Sequence, residues 1–173
     1  MSTTALPSYD DVRELPTLLE GEVTPDFIDL NGHMNIRHYL DAGALGADVL
    51  CRRIGIDDAY RAERRLGVFT AEHHIRYFTE MHEGGKFTVH TTLVDRSARA
   101  AHLLSLILDR DAEVLSCTVE ILLVGVGMDT RRPAEFAEDV AVRMDEVIRD
   151  GAGLSWPLPL SGAMGIRRNS VPK

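Results

Sequence analysis

The segment "DLNGHMN", residues 29–35, gathers side chains that can move protons and bind oxygen atoms. Asp29 is its only acid, and Asn31 and Asn35 carry carboxamides. His33 adds an imidazole, whose pKa ordinarily lies near neutral pH. The segment directly precedes a stretch with helical periodicity, and the free N–H groups at a helix N-terminus favour negative charge. Together these residues indicate acid–base chemistry beside a group that develops negative charge.

Each of these residues also has an ordinary structural role near a helix N-terminus. Asp29 could cap the helix or close an Asx turn, and Asn31 could belong to the same turn. Asn35 is the best candidate for the N-cap. Gly32 would let the backbone come close to a ligand without a Cβ in the way. The residues alone leave the structural and the chemical interpretation open.

The residues around this segment predict a strand followed by a long helix. "GEVTP", residues 21–25, is typical of a short strand closed by proline. Residues 36–54 place apolar or small side chains at intervals of three and four, which predicts one buried helix face. The face comprises Ile36, Leu40, Gly43, Ala44, Ala47, Leu50, Cys51 and Ile54. Its small middle residues predict close packing against a sheet, or room for a ligand chain.

The second half of the chain predicts an antiparallel sheet. Four β-type runs cover residues 66–78, 86–96, 100–110 and 113–128, and the last three are joined by very short connections that favour hairpins. Residues 134–150 return to helical spacing. The fold class is therefore α+β, with one long helix on one curved antiparallel sheet and a C-terminal helix. We expect a mobile leader at 1–20 that ends in a short helical turn, a domain at 21–150, and a tail at 151–173 that packs on or near it.

Composition limits the partners of the chain. It has 173 residues, enough for one domain with a real core, and a formal net charge of −8. This charge argues against binding to nucleic acid or to an anionic membrane. The two cysteines, Cys51 and Cys117, lie in apolar segments, and no signal-like or membrane-spanning run is present. A cytoplasmic location is the expectation.

On this layout and motif, the chain resembles the hot-dog fold thioesterases, from about Gly21 to Asp150. "D-x-N-G-H-M-N…Y" looks like the D-x-N-x-H-x-N signature of acyl-carrier-protein thioesterases and their bacterial acyl-CoA relatives. "FIDLNGHMNIRHYLDAG", "IGIDDAYR" and "EHHIRYF" are similar to the betainyl-CoA thioesterases of carnitine metabolism, some of which are fused to carnitine dehydrogenase. The resemblance implies a hydrolase that converts an acyl-CoA, such as betainyl-CoA, to free acid and coenzyme A. It also implies a homodimer or higher homo-oligomer with the ligand between subunits, and no cofactor.

The resemblance assigns chemical roles to the motif. Asp29 becomes the general base or nucleophile, because thioester hydrolysis needs an activated water or an attacking carboxylate. Asn31 would orient water or the carbonyl, and His33 would act as a base or donate to the thioester oxygen. Gly32 and Asn35 would line the substrate, with Asn35 first of all a cap.

Two further substrate contacts are expected from Tyr39 and from Glu80, in "RYFTEMHEG". Acyl-carrier-protein thioesterases have a Glu followed by Cys near this point, whereas here Met81 follows. The departure removes a thiol nucleophile and favours chemistry at Asp29. Glu72, on a predicted strand, is a rival acid, although a charged strand residue most often faces solvent.

A metal site is not expected. Adjacent strand residues such as His73 and His74 point to opposite faces. His33 and His38 lie five apart, which is not the spacing of a helical zinc pair.

The phosphates of coenzyme A and a cationic acyl group would each need binding side chains nearby. Candidates for the coenzyme A phosphates are Arg96, Arg99, Arg110, Arg131 and Arg132. Candidates for a quaternary ammonium, which prefers aromatic faces, are Tyr39, Tyr77, Phe78 and Trp156.

Two alternatives to a thioesterase stay open. One is a hot-dog enoyl-CoA hydratase, whose D-x-N-P-x-H pattern differs from this motif, and the other is a non-catalytic acyl-CoA-binding protein.

Overall fold

The computed structural model describes residues 6–167 of the chain. Four α-helices and five strands follow one another in the order α1, β1, α2, α3, β2, β3, β4, β5, α4. The helices are α1 (Tyr9–Arg13), α2 (Ile36–Arg53), α3 (Asp58–Arg64) and α4 (Glu138–Ala152). The strands are β1 (Thr17–Glu22), β2 (Leu66–Tyr77), β3 (Lys86–Arg96), β4 (Ala100–Asp109) and β5 (Val114–Gly127). A short 3-10 turn, Pro25–Phe27, links β1 to the motif.

The five strands form one antiparallel sheet in the order β1-β3-β4-β5-β2. The predicted hairpins β3–β4 and β4–β5 are present, and the four predicted strands of the second half match the structure to within two residues at each end. The α+β fold class is thus confirmed. β2 crosses over to pair with β5 and forms one edge of the sheet, with a bulge between Thr70 and Glu72.

Helix α2 begins where the sequence predicts. The Asn35 side chain accepts a hydrogen bond from the Arg37 amide at 3.1 Å, so Asn35 is the N-cap. The helix ends before Gly55, whose φ of +96° ends it in the left-handed region. Its buried face agrees with the prediction at Gly43, Ala47, Leu50, Cys51 and Ile54, and differs at two positions. Ile36 is 61% exposed and Ala44 is exposed, because the helix is turned further towards Tyr39, Ala42 and Gly46.

Small residues in the middle of α2 allow close packing on the sheet. A Cβ at Gly43 would lie 2.7 Å from a methyl of Val119, and one at Gly46 would lie 2.6 Å from a methyl of Val89. Neither position leaves space for a side chain. The interpretation of this face as a close-packing surface is confirmed at Gly43, and Gly46 belongs to it although the sequence analysis left it out.

The face of the sheet opposite α2 is covered by the first and last segments of the described residues. Val12 of α1, Leu15 and Trp156 are buried there with Leu104 and Leu106 of β4. Residues 9–22 of the expected leader and strand region are therefore packed, and the first strand is Thr17–Glu22 rather than 21–25. The division of the chain at residues 20 and 150 stays a prediction, and its ends, 1–5 and 168–173, lie outside the described residues.

Helix α4 starts four residues later than the sequence pattern indicates. Phe136 lies outside the helix, where its ring packs beside Gly125, and its amide donates to the Ala98 carbonyl. Val140 and Met144 place α4 in the same core as α2. The short helix α3, which the periodicity does not reveal, begins at the Asp57 cap.

Candidate active site

The motif forms a tight turn in front of α2. The Asp29 amide donates to the His33 carbonyl at 3.0 Å, and Gly32 N–H donates to the Asp29 carbonyl at 3.0 Å. One carboxylate oxygen of Asp29 accepts from the Asn31 amide at 2.7 Å, which is an Asx turn. Gly32 has φ +83°, a conformation that disfavours other residues, and nothing lies within 4 Å of its missing Cβ.

The segment between β2 and β3 holds this turn in place. The Met34 amide donates to the Met81 carbonyl at 2.8 Å, and both methionine side chains are fully buried. His82 Nδ1 donates to the Gly32 carbonyl at 3.2 Å. His82 could not be predicted from the sequence, because only the folded chain shows that "TEMHEG" lies against the motif.

A depression of about 290 Å³ lies beside the helix N-terminus. Its lining residues come from the motif, from the first turns of α2 and from the end of β2. They are His33, Met34, Ile36, Tyr39, Tyr77, Phe78, Thr79 and Glu80. The structure therefore brings together three of the predicted site residues, namely His33, Tyr39 and Glu80, on one surface. Asp29 and Asn31 lie in the adjoining turn, and they are not among the lining residues.

His33 faces Glu80 across this depression. Its Nδ1 donates to the Met34 carbonyl at 3.2 Å, which turns Nε2 towards Glu80. Nε2 lies 3.9 Å from Glu80 Oε1. The His33 side chain is 24% exposed and that of Glu80 is 65% exposed, so both atoms can be reached by a ligand.

Tyr39 forms the floor of the depression. Its hydroxyl oxygen accepts from the Met81 amide at 3.0 Å, and burial raises the pKa of the phenol. Its ring meets that of Tyr77 edge to face, with centroids 5.3 Å apart. Phe78 completes the aromatic lining, whereas Trp156, the fourth aromatic candidate, lies across the sheet from α2.

The N-terminus of α2 has unused hydrogen-bond donors. The Asn35 side chain accepts a hydrogen bond from the Arg37 amide, and the Asn35 carbonyl accepts one from the His38 amide. Among the residues that the structure describes, no group accepts from the amides of His33 or Ile36. Such free amides at a helix N-terminus can bind an oxyanion.

Other candidate groups lie away from this surface. His73 lines a second depression between α2 and β2, whereas His74 points to the other face, as predicted. Glu72 shares the His74 face, opposite α2, so the structure does not bring it to the motif. Within residues 6–167, no group of three or more His, Cys, Asp or Glu side chains could hold a metal ion.

Neither thiol is suited to attack a thioester. Cys51 and Cys117 are free and buried, and burial raises the pKa of each to about 12. The nucleophilic thiolate is therefore scarce at neutral pH. Met81, the residue after Glu80, is also buried and carries no thiol.

The structure separates the candidate phosphate-binding arginines into two groups. Arg96 pairs with Asp145, Arg99 with Glu135 at 3.2 Å, and Arg110 with Glu20 at 3.3 Å. Within residues 6–167, Arg131 and Arg132 have no carboxylate partner, and Arg131 lies over the Phe69 ring. Arg131 and Arg132 are therefore the two candidates whose guanidinium groups are not already bound to a carboxylate of the described chain.

The fold and the motif define a hot-dog protein of the thioesterase class. The model of the Thioesterase-like superfamily matches residues 23–144, and the chain belongs to this family. The predicted membership of the thioesterase superfamily is thus confirmed. No helix in residues 6–167 is long and apolar enough to cross a membrane.

Individual relatives and one solved structure are more specific than the family model. An L-carnitine dehydrogenase/betainyl-CoA thioesterase of Ruegeria pomeroyi is 34% identical over 88% of this chain, which spans only 31% of that relative's length. A betainyl-CoA thioesterase of Pseudomonas aeruginosa is 28% identical over 87% of this chain and 94% of its own. A Staphylococcus aureus protein solved in complex with CoA matches with a TM-score of 0.73 and 26% identity, covering 88% of this chain and 97% of the other.

Proposed function

We propose that this protein hydrolyses an acyl-CoA thioester, with betainyl-CoA as its preferred substrate. The observation that carries the proposal is the aromatic depression at the α2 N-terminus, which has a carboxylate at its rim. The rings of Tyr39 and Tyr77 and the carboxylate of Glu80 suit a small cationic acyl group. The relatives named for betainyl-CoA, and the related structure that holds CoA, support the same substrate.

The carboxylate of Asp29 supplies the base or the nucleophile in this proposal. One of its oxygens is fixed by the Asn31 amide. No described residue donates to the other, so this oxygen is available to water or to the carbonyl carbon. The amides of His33 and Ile36 and the helix dipole stabilise the oxyanion. Asn31 orients the water or the carbonyl, and Gly32 and Asn35 keep the turn in its place beside the substrate.

A homodimer completes the site. β2 has twelve residues, pairs only with β5 in the described chain, and exposes residues 69–73. A long uncovered edge favours pairing with another strand. A second copy of β2 is the occupant that fits, because Ile36 and Tyr77 leave apolar surface at one end of this edge. Light scattering after size exclusion is expected to give at least twice the chain mass of 19.2 kDa.

We also propose a cytoplasmic location, where free cysteines are stable.

The experiment that tests the substrate compares two acyl groups of equal shape. 3,3-Dimethylbutanoyl-CoA has a carbon atom where betainyl-CoA has its cationic nitrogen. We expect kcat/KM for betainyl-CoA to exceed that for the neutral isostere by roughly 5- to 30-fold, from about 1–2 kcal/mol of cation recognition. Equal rates would keep the thioesterase and reject the betaine pocket. No thiol release from any acyl-CoA would reject the enzyme and favour a binding protein.

A further inference from the structure

The turn that follows β5 presents two unpaired cations. Arg131 and Arg132 are exposed, and among residues 6–167 neither has an ion-pair partner. The nearby carboxylate of Asp129 is already bound by Arg65. In a chain with a net charge of −8, this turn is therefore a local site of positive charge.

An exposed aromatic ring lies next to this turn. Phe69 of β2 is 42% exposed, and the Arg131 guanidinium lies 5.6 Å from the centre of its ring. The turn is held by the Arg131 amide, which donates to the Gly127 carbonyl at 2.8 Å, and by the Gly127 amide, which donates to the Arg132 carbonyl at 3.0 Å. The turn thus holds the Arg131 guanidinium over the ring and places Arg132 next to it in the chain.

We propose that Phe69, Arg131 and Arg132 bind the nucleotide end of coenzyme A. An exposed ring can stack on adenine, and guanidinium groups bind phosphate oxygens in pairs. The inference rests on the proposed function, since it names the residues that hold the leaving group of that reaction. It explains why Arg131 and Arg132 lack the acidic partners that the other candidate arginines have.

The nucleotide-binding residues of one protomer belong to the active site of its partner. Phe69 and Tyr77 are eight residues apart on β2, about 26 Å at 3.3 Å per residue. A strand that pairs with its own copy across a twofold axis is antiparallel, so the partner's Phe69 comes towards the Tyr77 end, where the motif lies. Coenzyme A then extends from the motif of one protomer to the partner's Arg131 and Arg132.

Two thioesters of one acyl group test the binding role. The CoA ester carries the nucleotide, and the N-acetylcysteamine ester lacks it. In the double variant Arg131→Asn, Arg132→Gln, the ratio of kcat/KM between these esters is expected to fall at least tenfold, through KM for the CoA ester. Asparagine suits position 131 because φ there is 56°. An unchanged ratio would overturn the proposal.

A matched control and a binding measurement separate this inference from the proposed function. Arg99→Gln removes an exposed arginine that is paired with Glu135, and it should leave the ratio unaltered. If the unaltered protein hydrolyses neither ester, the proposed function fails, and calorimetry with CoA and with pantetheine decides the inference. CoA must then bind more tightly than pantetheine, and the double variant must lose that difference.

Subunit mixing tests the placement across the interface. The arginine double variant is combined with the Asp29→Asn or His33→Asn chain, whichever is inactive alone, and the heterodimer is isolated with two tags. A shared site predicts one intact site per heterodimer, with about half the activity of the unaltered dimer at low acyl-CoA. No recovery would overturn the contribution from the partner's arginines.

Discussion

At the scale of single residues, Asp29 combines a structural and a chemical role. Its fixed oxygen closes the Asx turn, and its other oxygen is free among the described groups. Asp29→Asn keeps the acceptor of the turn but removes the base. We expect kcat to fall by about 10² to 10⁴, the usual contribution of a general base, with an unchanged thermal unfolding temperature. Thiol release from betainyl-CoA measures the loss, and a fall of less than tenfold would contradict the role.

His33 offers a sharper test, because its two nitrogens have different partners. Asparagine can keep the Nδ1 donor to the Met34 carbonyl, and glutamine can place an amide near the Nε2 position beside Glu80. If Nε2 acts on the substrate, His33→Asn should lose at least tenfold more kcat than His33→Gln. If the hydrogen bond to the Met34 carbonyl is what supports activity, His33→Gln should lose more kcat than His33→Asn. Steady-state kinetics on the same acyl-CoA compares the two variants.

The residue types of the site could be predicted from the sequence, but their arrangement could not. Asn35 as the cap follows from local chemistry, and the structure confirms it. The position of Glu80 beside His33 depends on the contact between the motif and the segment after β2, which no local pattern encodes. The same contact explains why His82 was missed.

At the scale of elements, the strands were predictable, whereas the full set of α2 residues that face the sheet was not. Alternation and very short connections fixed the hairpins, because turn length limits how strands can pair. The helix pattern was ambiguous because small residues occur on several of its sides. Packing decided the face, since Gly43 and Gly46 approach the valines of β5 and β3.

This packing predicts the effect of a single methyl group. In Gly46→Ala, the new Cβ would lie 2.6 Å from Val89 Cγ1 and 2.8 Å from Thr91 Oγ1. The gain in helix propensity, about 1 kcal/mol, is smaller than the cost of forcing helix and sheet apart, about 1–3 kcal/mol. We expect a lower free energy of unfolding in urea, by about 1 kcal/mol. A more stable variant would show that α2 can move away without cost.

At the scale of the whole molecule, the sheet has two faces with different tasks. One face carries α2 and its aromatic depression. The other is covered by α1 and by the tail, whose Trp156 is buried against β4 and β5. Beneath the tail, Glu120 accepts from His102 at 3.0 Å and from the Ser161 amide at 2.7 Å. The alternation along β5 predicts that Glu120 points away from α2, but no local pattern shows that the tail covers it and pairs it with Ser161.

The buried pair predicts how the tail responds to acid. Burial by itself raises the pKa of Glu120, but the bonds from His102 and Ser161 outweigh it and hold that pKa below its ordinary value. A carboxylate with a lowered pKa stabilises the fold above its unfolded pKa, near 4.3, and this stability is lost as pH falls through the folded pKa. Glu120→Gln removes the charge and should cost about 1–3 kcal/mol at neutral pH. Its deficit relative to the unaltered protein should shrink below about pH 4.

Trp156 is the only tryptophan of the chain, so its fluorescence reports directly on the tail. In urea titrations at pH 7, the Glu120→Gln variant should shift the emission of Trp156 to the red at lower denaturant than the unaltered protein does. Ser161→Ala keeps the backbone donor to Glu120 but removes the hydroxyl that also bonds this carboxylate, so its transition should lie between those of Glu120→Gln and the unaltered protein. The two curves for Glu120→Gln and the unaltered chain should approach each other as the titrations are repeated towards pH 3.5. A constant separation at all pH values would mean that the charge of Glu120 does not hold the tail on the sheet.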